Sequence, residues 1–286
     1  GGRAPRPRED GPARPGVELL RPPAGEPGQA LQLVEIYREA HGRSQESAPR
    51  RAILQRVARV FEEELGDKQS AEQAFVGVLH LDEEDREALA ALDRIYQSEG
   101  RWADLAAILQ REIQLEEDER AVIGLVYRLA RLHEHQLGDL DLAVDHYRNI
   151  LQADPLHEGA LKALESIYVQ REEWEPLFDI YQKQADIADS GELKAGIYAK
   201  MANLAAEMLE RPSDAITMWN KVIDLLGDDL DALRSLAGLH QQQGQWRELV
   251  EVLERQARVV GVPAEEVNLL ARQGRIAGGR IVHCVK

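Results

Sequence analysis

Residues 125–187 read LVYRLARLHEHQLGDLDLAVDHYRNILQADPLHEGALKALESIYVQREEWEPLFDIYQKQADI, and this stretch decides the fold. Shifted by 72 residues either way, its apolar skeleton reappears without a gap. Leu65, Leu137 and Leu209 align, as do Ala71, Ala143 and Ala215, and Leu89, Leu161 and Leu233. Trp102, Trp174 and Trp246 fall at one register. Self-similarity at a fixed period is the signature of a stacked repeat, in which each unit buries its apolar face against the next.

Each 72-residue unit reads as four helices, in the first unit roughly 50–65, 69–81, 84–98 and 101–115. Gly66-Asp67 and Gly138-Asp139 pair a residue that tolerates positive φ with a helix N-cap. Asp154-Pro155 places proline at a helix start, where its missing N–H costs nothing. Gly100 and Gly244 end helices just before Trp102 and Trp246. Asp118 and Asp189-x-x-Glu192 offer carboxylates to helix N-termini. In the third unit Leu209-Glu210-Arg211-Pro212 replaces Leu-Gly-Asp, so its turn should be less tightly capped. Short loops between helices of this length make neighbours antiparallel, and no strand-like alternation is visible.

Outward from the units, residues 1–28 hold seven of the twelve prolines, with few apolar residues. That composition predicts a disordered arm or linker. A helical pattern begins at Gln29 with Ala30, Leu33, Ile36 and Tyr37 on one face. It is the last helix of an incomplete unit, so the array spans 29–273. Gly274, Gly278 and Gly279 then weaken the register, and 274–286 is expected to be irregular; with its mid-unit start, the chain reads as a fragment.

The first hairpin of each unit resembles the tetratricopeptide repeat. In the second unit Val126, Leu129, Ala130 and His133 take first-helix positions; Ala143, Tyr147, Ile150 and Pro155 take second-helix and exit positions. One extra residue falls in the Gly138-Asp139 turn. The second hairpin is a divergent version, with Leu161, Leu164 and Tyr168 in place and Leu177 where a small residue is usual. The alternation looks like bacterial members with a double-hairpin unit. The resemblance implies an all-α, right-handed superhelical solenoid of antiparallel hairpins that binds protein segments in a concave groove.

The residues support that packing without the resemblance. Ala58/Ala71, Ala130/Ala143 and Ala202/Ala215 omit bulk where two helices must approach. Phe75, Tyr147 and Trp219 share one site that requires volume. The three aligned tryptophans are expected to pack into the core rather than form an exposed ligand platform.

Composition narrows function. A net charge of −16 argues against nucleic acid and against an anionic membrane surface. One cysteine, Cys284, permits neither an intrachain disulfide nor a Cys-based zinc site. His133 and His135 are two apart and point in different directions on a helix, unlike metal-binding pairs. No phosphate loop, nucleophile–base set or apolar span is present, so no enzyme activity and no cofactor are expected; cytoplasm is the default compartment.

One polar pattern recurs. Two first-helix positions three apart are Arg56 and Arg59, Arg128 and Arg131, Lys200 and Asn203, then Arg272 and Arg275. In the resemblance, the second of each pair looks into the groove, and Arg94 belongs to the same series with Ser166 and Gly238 as counterparts. These bases either grip an acidic partner segment or neutralise neighbouring glutamates, as Arg59 with Glu63. Two functions follow. One is a protein-interaction scaffold; the other is a spacer that self-associates through its end helices. An RNA-binding repeat would need a basic groove that overcomes the net charge.

Overall fold

The computed structural model describes residues 27–43 and 46–261. Residues 1–26 of the expected arm, 262–273 of the expected array and the whole expected tail, 274–286, lie outside the described residues. Thirteen α-helices fill the described chain, with no strand among them. The contacts divide the chain after Leu115 into an N-terminal module and a C-terminal module.

The N-terminal module holds α1 (Pro27–Arg43), α2 (Ser47–Arg59), α3 (Lys68–Leu81), α4 (Arg86–Glu99) and α5 (Trp102–Leu115). The C-terminal module holds α6 (Glu119–Leu132), α7 (Leu140–Ala153), α8 (Glu158–Arg171) and α9 (Trp174–Ile187). It continues with α10 (Gly191–Glu207), α11 (Pro212–Leu226), α12 (Leu230–Gln243) and α13 (Trp246–Val260). The starts of α3, α7 and α11, of α4, α8 and α12, and of α5, α9 and α13 are each 72 residues apart. We call α2–α5, α6–α9 and α10–α13 repeats 1, 2 and 3. Within each module every helix packs on the one that follows it.

Helix α4 shows how the sequence builds one element. Asp85 caps it by accepting from the Ala88 N–H at 2.9 Å, satisfying a donor the helix cannot. Ala88, Leu89, Ala91, Leu92, Ile95 and Tyr96 recur at helical spacing and are all buried. Gly100, at φ 70°, then closes it in the left-handed conformation.

The paired alanines are fully buried in all three repeats, at Ala58/Ala71, Ala130/Ala143 and Ala202/Ala215. The volume site is closed as well: Phe75, Tyr147 and Trp219 are 1%, 0% and 7% exposed. The tryptophans are a partial correction. Trp102, Trp174 and Trp246 are half-buried, not core. Each opens a helix and follows a residue in the left-handed region two positions back. The indoles of Trp102 and Trp246 lie within 4 Å of where a β-carbon on Gly100 or Gly244 would sit. They cover a helix end, which leaves one ring edge in water.

Three turn readings also change. The extra residue is not in the Gly138-Asp139 turn; it widens the helix before it. Val60–Glu64 and His133–Leu137 are π-helical turns, each closed by a bond six residues back, from Asp67 N to Phe61 O and from Asp139 N to His133 O. Insertions into a helix are commonly absorbed in this way. Pro155 lies in the turn before α8, whose cap is His157, with Nδ1 accepting from Ala160 N at 3.1 Å. Ser190, not Asp189, caps α10 by accepting from Leu193 N. Repeat 3 has the loose turn expected: Arg211 provides no side-chain cap, and Glu210 takes the positive-φ position of Gly66 and Gly138.

Candidate functional site

The recurring bases lie on the first helix of each hairpin pair, and their surroundings differ from repeat to repeat. In repeat 1 they are satisfied internally. Arg59 on α2 donates from Nε to Glu87 on α4 at 2.6 Å. In return Arg94 on α4 donates from Nη2 to both oxygens of Glu62, at 3.1 and 3.2 Å. Gln55 donates to the Asp85 carboxylate at 2.7 Å. Two reciprocal ion pairs and an amide hydrogen bond therefore tie α2 and the turn after it to α4 and its cap. Arg59 pairs with Glu87 across the helices, rather than with Glu63 on its own helix as the one-dimensional spacing suggested. These pairs are exposed and contribute about 0–1 kcal/mol each.

In repeat 2 four of the six residues in that network have changed. Arg131 stands at the register of Arg59, but Glu87 has become Gly159 and Arg94 has become Ser166. Glu134, the counterpart of Glu62, accepts instead from the Tyr147 hydroxyl at 2.6 Å. Burial first, and that bond second, push the Tyr147 hydroxyl's pKa well above its ordinary value. The Gln55–Asp85 bond is replaced by a ring pair, Tyr127 and His157, with centroids 5.0 Å apart. Tyr127 also lies 5.9 Å from Tyr147. It closes onto α8 so tightly that a β-carbon on Gly159 would be 2.6 Å from its hydroxyl oxygen. Arg131 is exposed, and among the described residues no hydrogen bond or salt bridge reaches its guanidinium.

Repeat 3 follows a third pattern. Lys200 donates to Glu165 of α8 at 2.9 Å and lies over the Tyr181 ring at 5.2 Å. Burial pulls the Glu165 pKa up, but hydrogen bonds from Gln184 and Lys200 outweigh it, and the net shift is downward. Asn203 is exposed.

The remaining predicted residues divide as follows. Arg56 is half-buried and lines, with Arg59, Tyr37, Glu63 and Glu64, a cleft of about 400 Å³ between α1 and α2. Arg128 is exposed on α6. Arg272 and Arg275 lie outside the described residues. The structure thus brings Arg56 and Arg59 to one cleft and ties Arg59 and Arg94 into one network.

The model for the tetratricopeptide repeat matches residues 88–122 and 232–261. The first match begins in α4, whose cap, core spacing and closing glycine are described above, and the second in α12, its equivalent two repeats on. Two stretches of the chain are tetratricopeptide repeats. No curated protein matches it in sequence.

Among solved structures, this chain is similar to one in the Cut9–Hcn1 hetero-tetramer of the APC/C, at 16% identity and TM-score 0.32. That match covers 86% of this chain and 46% of the other, so the chain spans under half the length of that relative. It is similar to YrrB, described as having an unusual peptide-binding site, at 15% identity and TM-score 0.37, covering 71% of this chain and 98% of that one. A third is a tetratricopeptide repeat protein from Parabacteroides merdae, at 15% identity and TM-score 0.36, covering 85% and 91%.

Sequence reading missed Tyr127, Gly159 and Glu87. Each was legible in principle, because aligning the repeats at 72 residues shows Gln55 opposite Tyr127 and Glu87 opposite Gly159. What the alignment does not show is that these positions touch. Among the described residues no cluster of three or more histidine, cysteine or acidic side chains has metal-site geometry, and no helix is long and apolar enough to cross a membrane.

Proposed function

We propose that this tetratricopeptide array is a non-enzymatic interaction module that binds a segment of another protein on the first helices of the hairpins within a module. Tetratricopeptide folds generally mediate protein–protein interaction, and the helices presenting that face are anchored by a buried core. A scaffold ordered before binding loses little conformational freedom on association.

The observation that carries the reading is Arg131: an exposed guanidinium, in register with an internally paired one, with no hydrogen-bond or salt-bridge partner among the described residues. Arginine's planar fork grips carboxylates in two-point contacts, so an acidic segment is the partner chemistry that fits. The polarity of the face argues against nucleic acid, whose phosphates need many cations in a row.

The test is capture of partner proteins from the native source by the immobilised chain. Reversing the charge of Arg59 and Arg131 together should weaken capture and reduce its dependence on salt. Unchanged capture by the double variant would remove this face from the function.

A further inference from the structure

Repeat 2 carries a pair of imidazoles where the other repeats are apolar. His133 opens the π-helical turn after α6, and His146 lies on α7, which packs against that turn. Their equivalents are Phe61 with Ala74 in repeat 1 and Ala205 with Met218 in repeat 3. The His133 ring is 6% exposed, and both its nitrogens are buried without a hydrogen-bond partner. His146 is half-buried, and among the described residues no hydrogen bond reaches its ring either. Buried polar atoms in folded proteins are nearly always paired, with protein, water or an ion. The two ring centroids are 5.5 Å apart and the rings are tilted by 31°. Two imidazoles on one tetrahedral zinc, with bonds of about 2.1 Å, have ring centres about 5 Å apart.

We propose that His133 and His146 form a binding site for a single divalent transition-metal ion of the zinc type, with water in the remaining coordination positions. Neutral imidazole suits such ions, whereas magnesium and calcium require oxygen ligands. Burial lowers the His146 pKa from 6.5, and His133 lowers it further, so at neutral pH the ring is in its uncharged, ligating form. The Asp145 carboxylate, which acts on the His146 charge in the opposite sense, also favours a cation there. Because His146 is half-exposed, the site is open to solvent on one side. Two protein ligands make a weak, exchangeable site, consistent with the lack of any three-ligand cluster among the described residues. Spacing along one helix could not reveal the pair, since its members belong to successive helical elements. The site is separate from the interaction role proposed above.

The test titrates zinc chloride into the full chain by calorimetry, at neutral pH in a non-chelating buffer, beside three variants. His133→Phe and His146→Ala each restore the residue of repeat 1, and His135→Ala removes the exposed histidine on the same turn. The first two should each weaken zinc binding by about tenfold or more, since loss of a ligand costs at least as much as loss of the group behind one. His135→Ala should weaken it by less than about twofold. Zinc should also raise the thermal midpoint of the parent more than that of His133→Phe, because an ion bound only by the folded chain stabilises it. Should His133→Phe fail to fold, His146→Ala, at a half-exposed position, carries the same comparison. Parental zinc affinity in His133→Phe or in His146→Ala would overturn the site and assign any bound zinc to other histidines. A loss in His135→Ala as large as that in His133→Phe would place the ion on the surface of the turn and overturn the pairing. Magnesium bound as tightly as zinc would overturn imidazole ligation.

Discussion

Tyr127 closes over Gly159: a β-carbon on that glycine would lie 2.6 Å from the tyrosine hydroxyl oxygen and 2.8 Å from the carbon bearing it. The glycine is there because the ring is. Gly159→Ala should push the ring outward and forfeit its contacts with Tyr147 and His157, at a cost of about 1 kcal/mol, the low end for overpacking since Tyr127 is half-exposed and able to swing. Tyr127→Gln, which restores the residue of repeat 1, should abolish that cost. Urea unfolding of the two single variants and the double variant measures the coupling, and additive effects would refute the contact.

Two glutamates stand where other repeats use glycine. Glu172, at φ 57°, occupies the position of Gly100 and Gly244, and Glu210, at φ 54°, that of Gly66 and Gly138. A side chain in this region costs about 1–2 kcal/mol relative to glycine, partly returned by glycine's greater freedom when unfolded. Glu172→Gly and Glu210→Gly should each stabilise the chain by about 0.5–1 kcal/mol, seen as a higher thermal midpoint. A lower midpoint for either would show that its side chain makes contacts that outweigh the strain.

His133 and His146 replace an apolar contact. The equivalent pairs are Phe61 with Ala74 and Ala205 with Met218. The His133 ring is 6% exposed and neither of its nitrogens has a hydrogen-bond partner, while the His146 ring lies 5.5 Å away. Burial lowers the His146 pKa from 6.5, and His133 lowers it further, against a smaller upward pull from Asp145. As pH falls below about 6.5, the unfolded chain therefore takes up a proton before the folded one does, and stability declines. The variant His133→Phe with His146→Ala should be more stable at pH 7 by about 1 kcal/mol, since it removes unsatisfied buried nitrogens. Its stability between pH 7 and 5 should fall less than the parent's, by denaturant titration at each pH.

The Tyr147 hydroxyl and Glu134 share a bond inside repeat 2. Tyr147→Phe keeps the volume and removes the donor, so it should cost about 1–2 kcal/mol. If packing volume alone matters at this site, the variant will unfold with the parent.

Much of this was legible from periodicity. The constant offset places α3, α7 and α11, and the alanines that let helices approach, because packing residues must recur wherever the same neighbours recur. The caps at Asp67, Asp118 and Asp139 were readable for the same reason: a free N–H at a helix start calls for a nearby oxygen. The π-helical turns were not readable, since an extra residue can be absorbed in the helix or in the loop with the same sequence. Nor was the division of labour among the bases. Arg59 and Arg131 look alike along the chain, and only contacts across helices distinguish an internally paired arginine from one left exposed.

The most direct measurement grafts the repeat 1 network onto repeat 2. The variant carrying Tyr127→Gln, Gly159→Glu and Ser166→Arg supplies Arg131 with an internal acid and leaves Arg131 itself, the buried core and all of repeat 1 unaltered. By titration calorimetry against a short peptide alternating glutamate and alanine, it should bind at least about tenfold more weakly than the parent, as a guanidinium already held by one carboxylate has little to offer a second. Parental affinity in a variant that folds normally would contradict the proposal that Arg131 is open to a partner because repeat 2 lacks the counterpart of Glu87.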